Sequence, residues 1–191
     1  MLIGAMRASL MTTLIVVAPG IASPQTPPAP QNPACEAPVW GDHVTAFATR
    51  MDAYVTLRHQ LEMGLPQPSA HALAERIRTA RARAKQGDIL TPELSVEIQK
   101  SLRREIDAHT WKVIMDDNPG ELPSQVNAEY REGRPLSTMP PNILAALPKL
   151  PEDIEYRFVE RHLILLDTRA RLILDRIPYA IRLADSTGSC R

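Results

Sequence analysis

Ile154–Ile177 reads IEYRFVERHLILLDTRARLILDRI, and the parsing of this stretch decides the fold. Three apolar runs, Ile154–Val159, His162–Leu166 and Arg171–Ile177, are separated by Glu160-Arg161 and by Asp167–Ala170. Breaks this short join antiparallel neighbours, so the sequence predicts a three-stranded meander. In the first run Ile154, Tyr156 and Phe158 fall on one face, because strand side chains alternate. The second and third runs are apolar on both faces, which implies a sheet covered on both sides or paired with a neighbour. A competing parse makes His162–Ile181 one amphipathic helix, against which Asp167-Thr168 argues mildly. On the meander Glu155, Asp167 and Asp175 are expected to pair with Arg157, Arg169 and Arg171 across strands.

Upstream, residues 116–151 hold seven prolines and two glycines among scattered apolar residues. That composition predicts a connector, interrupted by a short helix near Pro141–Leu147. Leu147-Pro-Lys-Leu-Pro151 then runs extended into the first strand, since a residue before proline avoids the α region. Before the connector the period changes from two to between three and four. Val44, Phe47, Ala48, Met51, Tyr54 and Val55 form one helical stripe, extended by Leu61 and ended by Gly64, Pro66 and Pro68. A second helix is expected from Pro68 or Ser69 to about Gln86, with Gly87 as its C-terminal cap. A third starts at Thr91-Pro92, carries Leu94, Ile98, Leu102 and Ile106, and could run through Trp111 to Ile114. The expectation is thus α+β: an N-terminal three-helix region (42–115) packed on a small C-terminal antiparallel β-meander (152–178), within a single domain at 35–191.

The chain opens with an address. Met1–Arg7 has one cation and no acid, and Ala8–Ala18 is an uncharged, mainly apolar run. It is shorter than the ~20 residues of a membrane span and matches the core of a secretory signal. Cleavage after Ala22 gives a signal at 1–22; the alternative is an uncleaved anchor, the one expected route to a membrane. Residues 23–34 hold five prolines in twelve positions and read as an extended linker of roughly 35 Å. A periplasmic or secreted location follows. In an oxidising compartment Cys35 and Cys190 are expected to form a disulfide around nearly the whole domain, rather than remain free or pair between molecules.

The segment MPPNILAALPKLPEDIEYRFV (139–159), followed by RHLILLDTRARLILD (161–175), resembles a group of exported bacterial proteins without an assigned reaction. Their shared layout is a signal, helices, and a proline-rich step into a Tyr-Arg hairpin, which usually carries glycine where this chain has Glu160. The resemblance implies the domain layout and no activity. The same meander is faintly similar, over about thirty-five residues, to periplasmic proteins of nickel and cobalt homeostasis, and carries over no metal ligand.

Charge excludes one class of partner. The 22 Lys and Arg balance 22 Asp and Glu, so no cation excess exists to neutralise nucleic-acid phosphates. No phosphate-binding glycine loop, nucleophile elbow, His-Glu-x-x-His helix or Cys-x-x-Cys pair is present, and no cofactor is implied. Two acid–histidine pairs have helical i,i+4 spacing, His71/Glu75 and Glu105/His109; Glu105 and His109 are the better candidate ligands for a divalent metal, with Asp107 nearby. Two ligands are fewer than a stable site needs, and such pairs more commonly form surface ion pairs. In the second helix Arg76 and Arg83 fall on one flank of the apolar stripe and Arg78, Arg81 and Lys85 on the other. They are candidates for contact with an anion or a partner, or else border the stripe with their aliphatic stems. The expected function is a non-catalytic exported envelope protein acting through contact with another protein or an envelope polymer. The alternative is periplasmic metal binding, with an unrecognised hydrolase below both.

Overall fold

In the computed structural model, residues 37–65, 69–121, 125–131 and 133–181 are described. The expected signal, the proline-rich linker, Cys35 and Cys190 lie outside them. Among the described residues no helix is long and apolar enough to cross a membrane.

The chain is α+β, in the order α1 (Gly41–Met63), α2 (Ala70–Ala80), α3 (Pro92–Glu105), α4 (Ala108–Asp116), α5 (Pro141–Ala145), β1 (Ile154–Val159), β2 (His162–Asp167) and β3 (Leu172–Ile177). The three strands form one antiparallel sheet in the order β1-β2-β3, so the meander parse holds and the helical alternative does not. β1 and β2 pair in unbroken register from Ile154↔Asp167 to Val159↔His162. One face of the sheet meets the helices: Ile154, Tyr156, Phe158, Leu163, Leu165, Leu172, Leu174 and Ile177 join Phe47, Met51, Leu73, Ile77, Leu94, Ile98 and Ile143 in one core. The other face carries a second cluster in which Tyr130 covers Val159, Ile164, Leu166 and Ile173. Two apolar faces therefore have two covers. The second is a piece of the connector, bonded to β3 through Asn127 N to the Ile173 carbonyl (2.8 Å) and Tyr130 N to the Arg171 carbonyl (2.8 Å).

Helix boundaries follow the caps where local chemistry suffices. Thr91 Oγ1 accepts from Leu94 N with Pro92 in the first turn of α3, and Ser69 Oγ accepts from Ala72 N at the start of α2. Two expectations fail. The third helix does not continue to Ile114: Ile106 is extended, and Asp107 restarts the chain as α4 by accepting from Thr110 N at 2.9 Å. Among the described residues the region before the connector accordingly has four helices, not three. The second helix ends at Ala80 rather than Gln86, for a tertiary reason that also creates the candidate site. Gly87 does adopt a positive φ of 90°, but in a turn rather than as a helix cap.

At the β1–β2 turn Glu160 has φ 53°, a left-handed conformation that costs an L-residue about 1 kcal/mol and glycine little. Asn118 holds the turn from both sides, donating to the Glu160 carbonyl (3.0 Å) and accepting from Glu160 N (2.8 Å). Since these bonds use the Glu160 backbone, Glu160→Gly is expected to stabilise the protein by about 0.5–1 kcal/mol. A higher midpoint in urea at unchanged slope is the check.

His162, the first residue of β2, accepts from Tyr179 N through Nδ1 at 3.0 Å, and its ring meets that of Tyr179 edge-on at 4.9 Å. Burial and the nearby Arg176 hold the imidazole below its ordinary range, with Glu160 opposing. A folded pKa lower than the unfolded value of about 6.5 means that the unfolded chain binds more protons in that interval. This contribution is present above about pH 6.5 and is lost as the pH falls below it. Thermal unfolding at pH 7.5 and 5.5 is expected to show a smaller acid-induced fall in His162→Gln than in the parent.

Candidate functional site

The site begins with an irregularity in β3. The pairing of β2 with β3 steps from Leu165↔Asp175 to Leu166↔Ile173, so Leu174 is an extra residue. A β-bulge of this kind re-aims the side chains beyond it. Strict alternation would put Asp175 on the same face as Ile173, away from the helices. With the bulge, Leu174 and Asp175 both turn to the helical side, and Asp175 is fully buried.

There Asp175 organises the chain after α2. Its carboxylate accepts from Gly87 N (2.9 Å), Ile89 N (2.8 Å), Leu90 N (2.8 Å) and Arg176 N (2.8 Å). Burial raises its pKa while these backbone donors oppose the rise. Arg81 completes the clasp. Its Nη2 donates to the carbonyl of the bulged Leu174 (3.1 Å), and its guanidinium lies 5.3 Å from the centre of the Tyr54 ring. Asn127 Nδ2 donates to the Arg81 carbonyl at 3.0 Å. A helix continuing through 81–90 would lose all of these contacts, which is why α2 stops at Ala80.

On the far side stands α1. Phe47, Met51, Tyr54 and Arg58 are its buried face. Tyr54 donates to Asp167 Oδ2 at 2.5 Å, while Arg58 bridges Asp167 and Asp153, each at 3.4 Å. Ala170 N closes the set on Asp167 Oδ1 at 2.8 Å. Burial and the Asp167 carboxylate push the Tyr54 hydroxyl well above its ordinary range, so it remains a neutral donor. Arg169 continues the chain of charges outward, from Asp153 to Glu62 on α1.

Between these two supports lies an open cleft of about 610 Å³, in the size range of small-ligand sites. Its lining is mainly apolar, with alanines at 53, 80, 82 and 84. The polar part is one-sided: Arg50, Arg81 and Arg83 stand against Asp88, the one acid among the described lining residues. Asp88 is already engaged, accepting from Lys85 N at 2.9 Å. Arg50, on the flank of the α1 stripe one turn before Tyr54, was not singled out by the sequence.

The five basic residues assigned to one helix are dispersed. Arg76 donates to the Leu61 carbonyl at the end of α1 (3.1 Å). Arg78 binds the Asn127 carbonyl (3.1 Å), Glu75 and Glu129. Arg81, Arg83 and Lys85 lie beyond α2, so flanks plotted at helical steps do not apply to them. Only Arg81 and Arg83 of the five line the cleft; Lys85 is exposed outside its lining.

Glu105 and His109 are divided by the break at Ile106-Asp107. Glu105 accepts from Asn142 Nδ2 (3.4 Å), His109 is exposed on α4, and His71's partner Glu75 is taken by Arg78. Among the described residues no group of three or more His, Cys, Asp or Glu side chains could hold a metal ion. The cross-strand partners expected for Arg157 and Arg169 are also replaced. Asp167 and Asp175 serve helix and loop, Arg157 pairs with Glu155 of its own strand, and Arg169 reaches Glu62 and Asp153. No family model, curated protein or solved structure matches this chain.

Proposed function

We propose that this chain is an exported, non-catalytic binding protein of the cell envelope, and that it holds an envelope component in the cleft between α1 and residues 79–89. The observation that carries the reading is the one-sided rim of Arg50, Arg81 and Arg83. Arg81 is fixed by the Leu174 carbonyl and the Tyr54 ring, so the cleft offers cations on a prepared frame. The Tyr54 hydroxyl is committed to Asp167, and the carboxylates of Asp167 and Asp175 are buried on protein donors, so these three groups serve the frame of the cleft. Export is supported by the uncharged run Ala8–Ala18 after a single early cation. In that setting Cys35 and Cys190 form a disulfide, which non-reducing mass spectrometry checks; two alkylatable thiols would overturn the bond.

The test is fractionation of cells producing the full chain, followed by sedimentation of the recovered protein with washed envelope fragments. The expected result is protein outside the cytoplasm that co-sediments with envelope, and an Arg50→Ala/Arg83→Ala variant that exports equally but stays in the supernatant. Retention in the cytoplasm, or equal sedimentation of parent and variant, would overturn the reading.

A further inference from the structure

We infer that the cleft takes an oxyanion, a carboxylate or a phosphate group, carried on a small apolar body. This rests on the reading of the cleft as a binding site and names the chemistry of its ligand.

Among the described lining residues, three arginines stand against one acid, Asp88. Arg83 is exposed, and no hydrogen bond or ion pair satisfies it among the described residues. Arg50 has a longer-range attraction to Glu93 but no hydrogen bond from its side chain among the described residues. Arg81 is the most demanding of the three. Its Nη2 is taken by the Leu174 carbonyl, whereas Nη1 is buried without a hydrogen-bond partner. Burial draws the Arg81 guanidinium below its ordinary range, with Tyr54, Asp175 and Asp88 opposing the shift. A cation desolvated in this way gains most from an anion brought beside it in the same low-dielectric setting. Guanidinium groups match carboxylate and phosphate oxygens in geometry as well as charge.

The apolar body follows from the rest of the lining. Ala53, Leu57, Ala80, Ala82, Ala84 and Ile89 present methyl and methylene surface between the arginines. The one aromatic ring among the described lining residues, Tyr54, has Arg81 over it, so no free ring is offered for stacking a sugar. An aliphatic chain ending in an oxyanion satisfies both halves of the cleft.

Titration of the full chain with hexanoate, hexyl phosphate, hexanol and inorganic phosphate, at low salt and followed by calorimetry, tests this. The expected result is that at least one of the two alkyl oxyanions binds, and that hexanol and inorganic phosphate each bind at least tenfold more weakly than the better of them. Arg83→Ala and Arg50→Ala are each expected to weaken that binding by about fivefold. Arg83 is exposed, so its removal is expected to leave the fold intact. The ratio of hexanoate to hexyl phosphate affinity identifies which oxyanion the natural ligand carries. Hexanol binding as tightly as the alkyl anions, or unchanged affinity in both arginine variants, would overturn the oxyanion. Inorganic phosphate binding as tightly as hexyl phosphate would overturn the apolar body. If no anion binds while envelope sedimentation still depends on Arg50 and Arg83, the ligand chemistry is wrong and the binding reading stands. If both fail, the binding reading falls too.

Discussion

Arg58→Ala is expected to destabilise the protein by about 3–5 kcal/mol, the range for removing one partner of a buried ion pair. Arg58 is 2% exposed and Asp167 is 0% exposed, so neither charge can recover its hydration when the other is removed. In the variant Asp167 keeps the Tyr54 hydroxyl and Ala170 N but loses its counter-charge, and a cavity opens where the long side chain lay. The pair joins α1 to the end of β2, so the loss is expected in the global unfolding transition and not in a local one. A urea midpoint shifted down at unchanged slope is the signature. Arg58→Met/Asp167→Leu is expected to cost much less than the sum of its single substitutions, because apolar replacement removes the stranded charge with the pair. Additive losses would show that packing, not the ion pair, explains the first result.

Asp175→Ala carries the second large effect. Four backbone amides converge on this carboxylate, three of them from residues 87–90. Leaving a buried donor unsatisfied costs about 1–3 kcal/mol each, so a loss of at least ~3 kcal/mol is expected even if water reaches some of them. Asp175→Asn should rescue only part, since one carbonyl oxygen replaces two carboxylate oxygens and the new NH2 faces other donors. A structural role alone would change stability only. Because Asp175 holds the wall carrying Asp88 and Ile89, its loss is also expected to raise hydrogen exchange at residues 81–90 before the sheet is affected. Exchange unchanged there would remove Asp175 as the positioning residue of the cleft.

The meander was legible because its breaks are short and its first strand alternates, and both signals are local. The caps at Ser69 and Thr91 were legible for the same reason, as was the connector's short helix. At Asp107 two local signals compete. Its capping chemistry is local and present in the sequence, but an apolar series at four-residue steps running through Ile106 outweighed it. The candidate site was harder to read. Arg81 and Arg83 were named among five basic residues, but as members of a helix that stops before either one. Arg50 gave no signal beyond its place beside Tyr54. Arg58, deeply buried, has the sequence appearance of an ordinary surface cation, since only its partners, Asp167 in β2 and Asp153 in the turn before β1, distinguish it.

The sequence by itself determined what depends on near neighbours: helices where apolar residues recur every three or four positions, strands where they alternate, and breaks where proline, glycine and capping residues stand. It placed Glu155 and Asp175 in strands and Asp167 in the break after the second run, and assigned Asp167 and Asp175 the wrong partners. Those were decided by the tertiary structure, through a single bulge at Leu174 that turns Asp175 toward the helices and frees a carbonyl for Arg81. A buried carboxylate must be satisfied by whatever donors can reach it, and here the nearest are amides some 85 residues away in the chain. That requirement ended α2 early, folded residues 81–90 back over the sheet, and so formed the cleft. Periodicity in sequence carries no record of such a demand, because the demand exists only after the sheet and the helices have met.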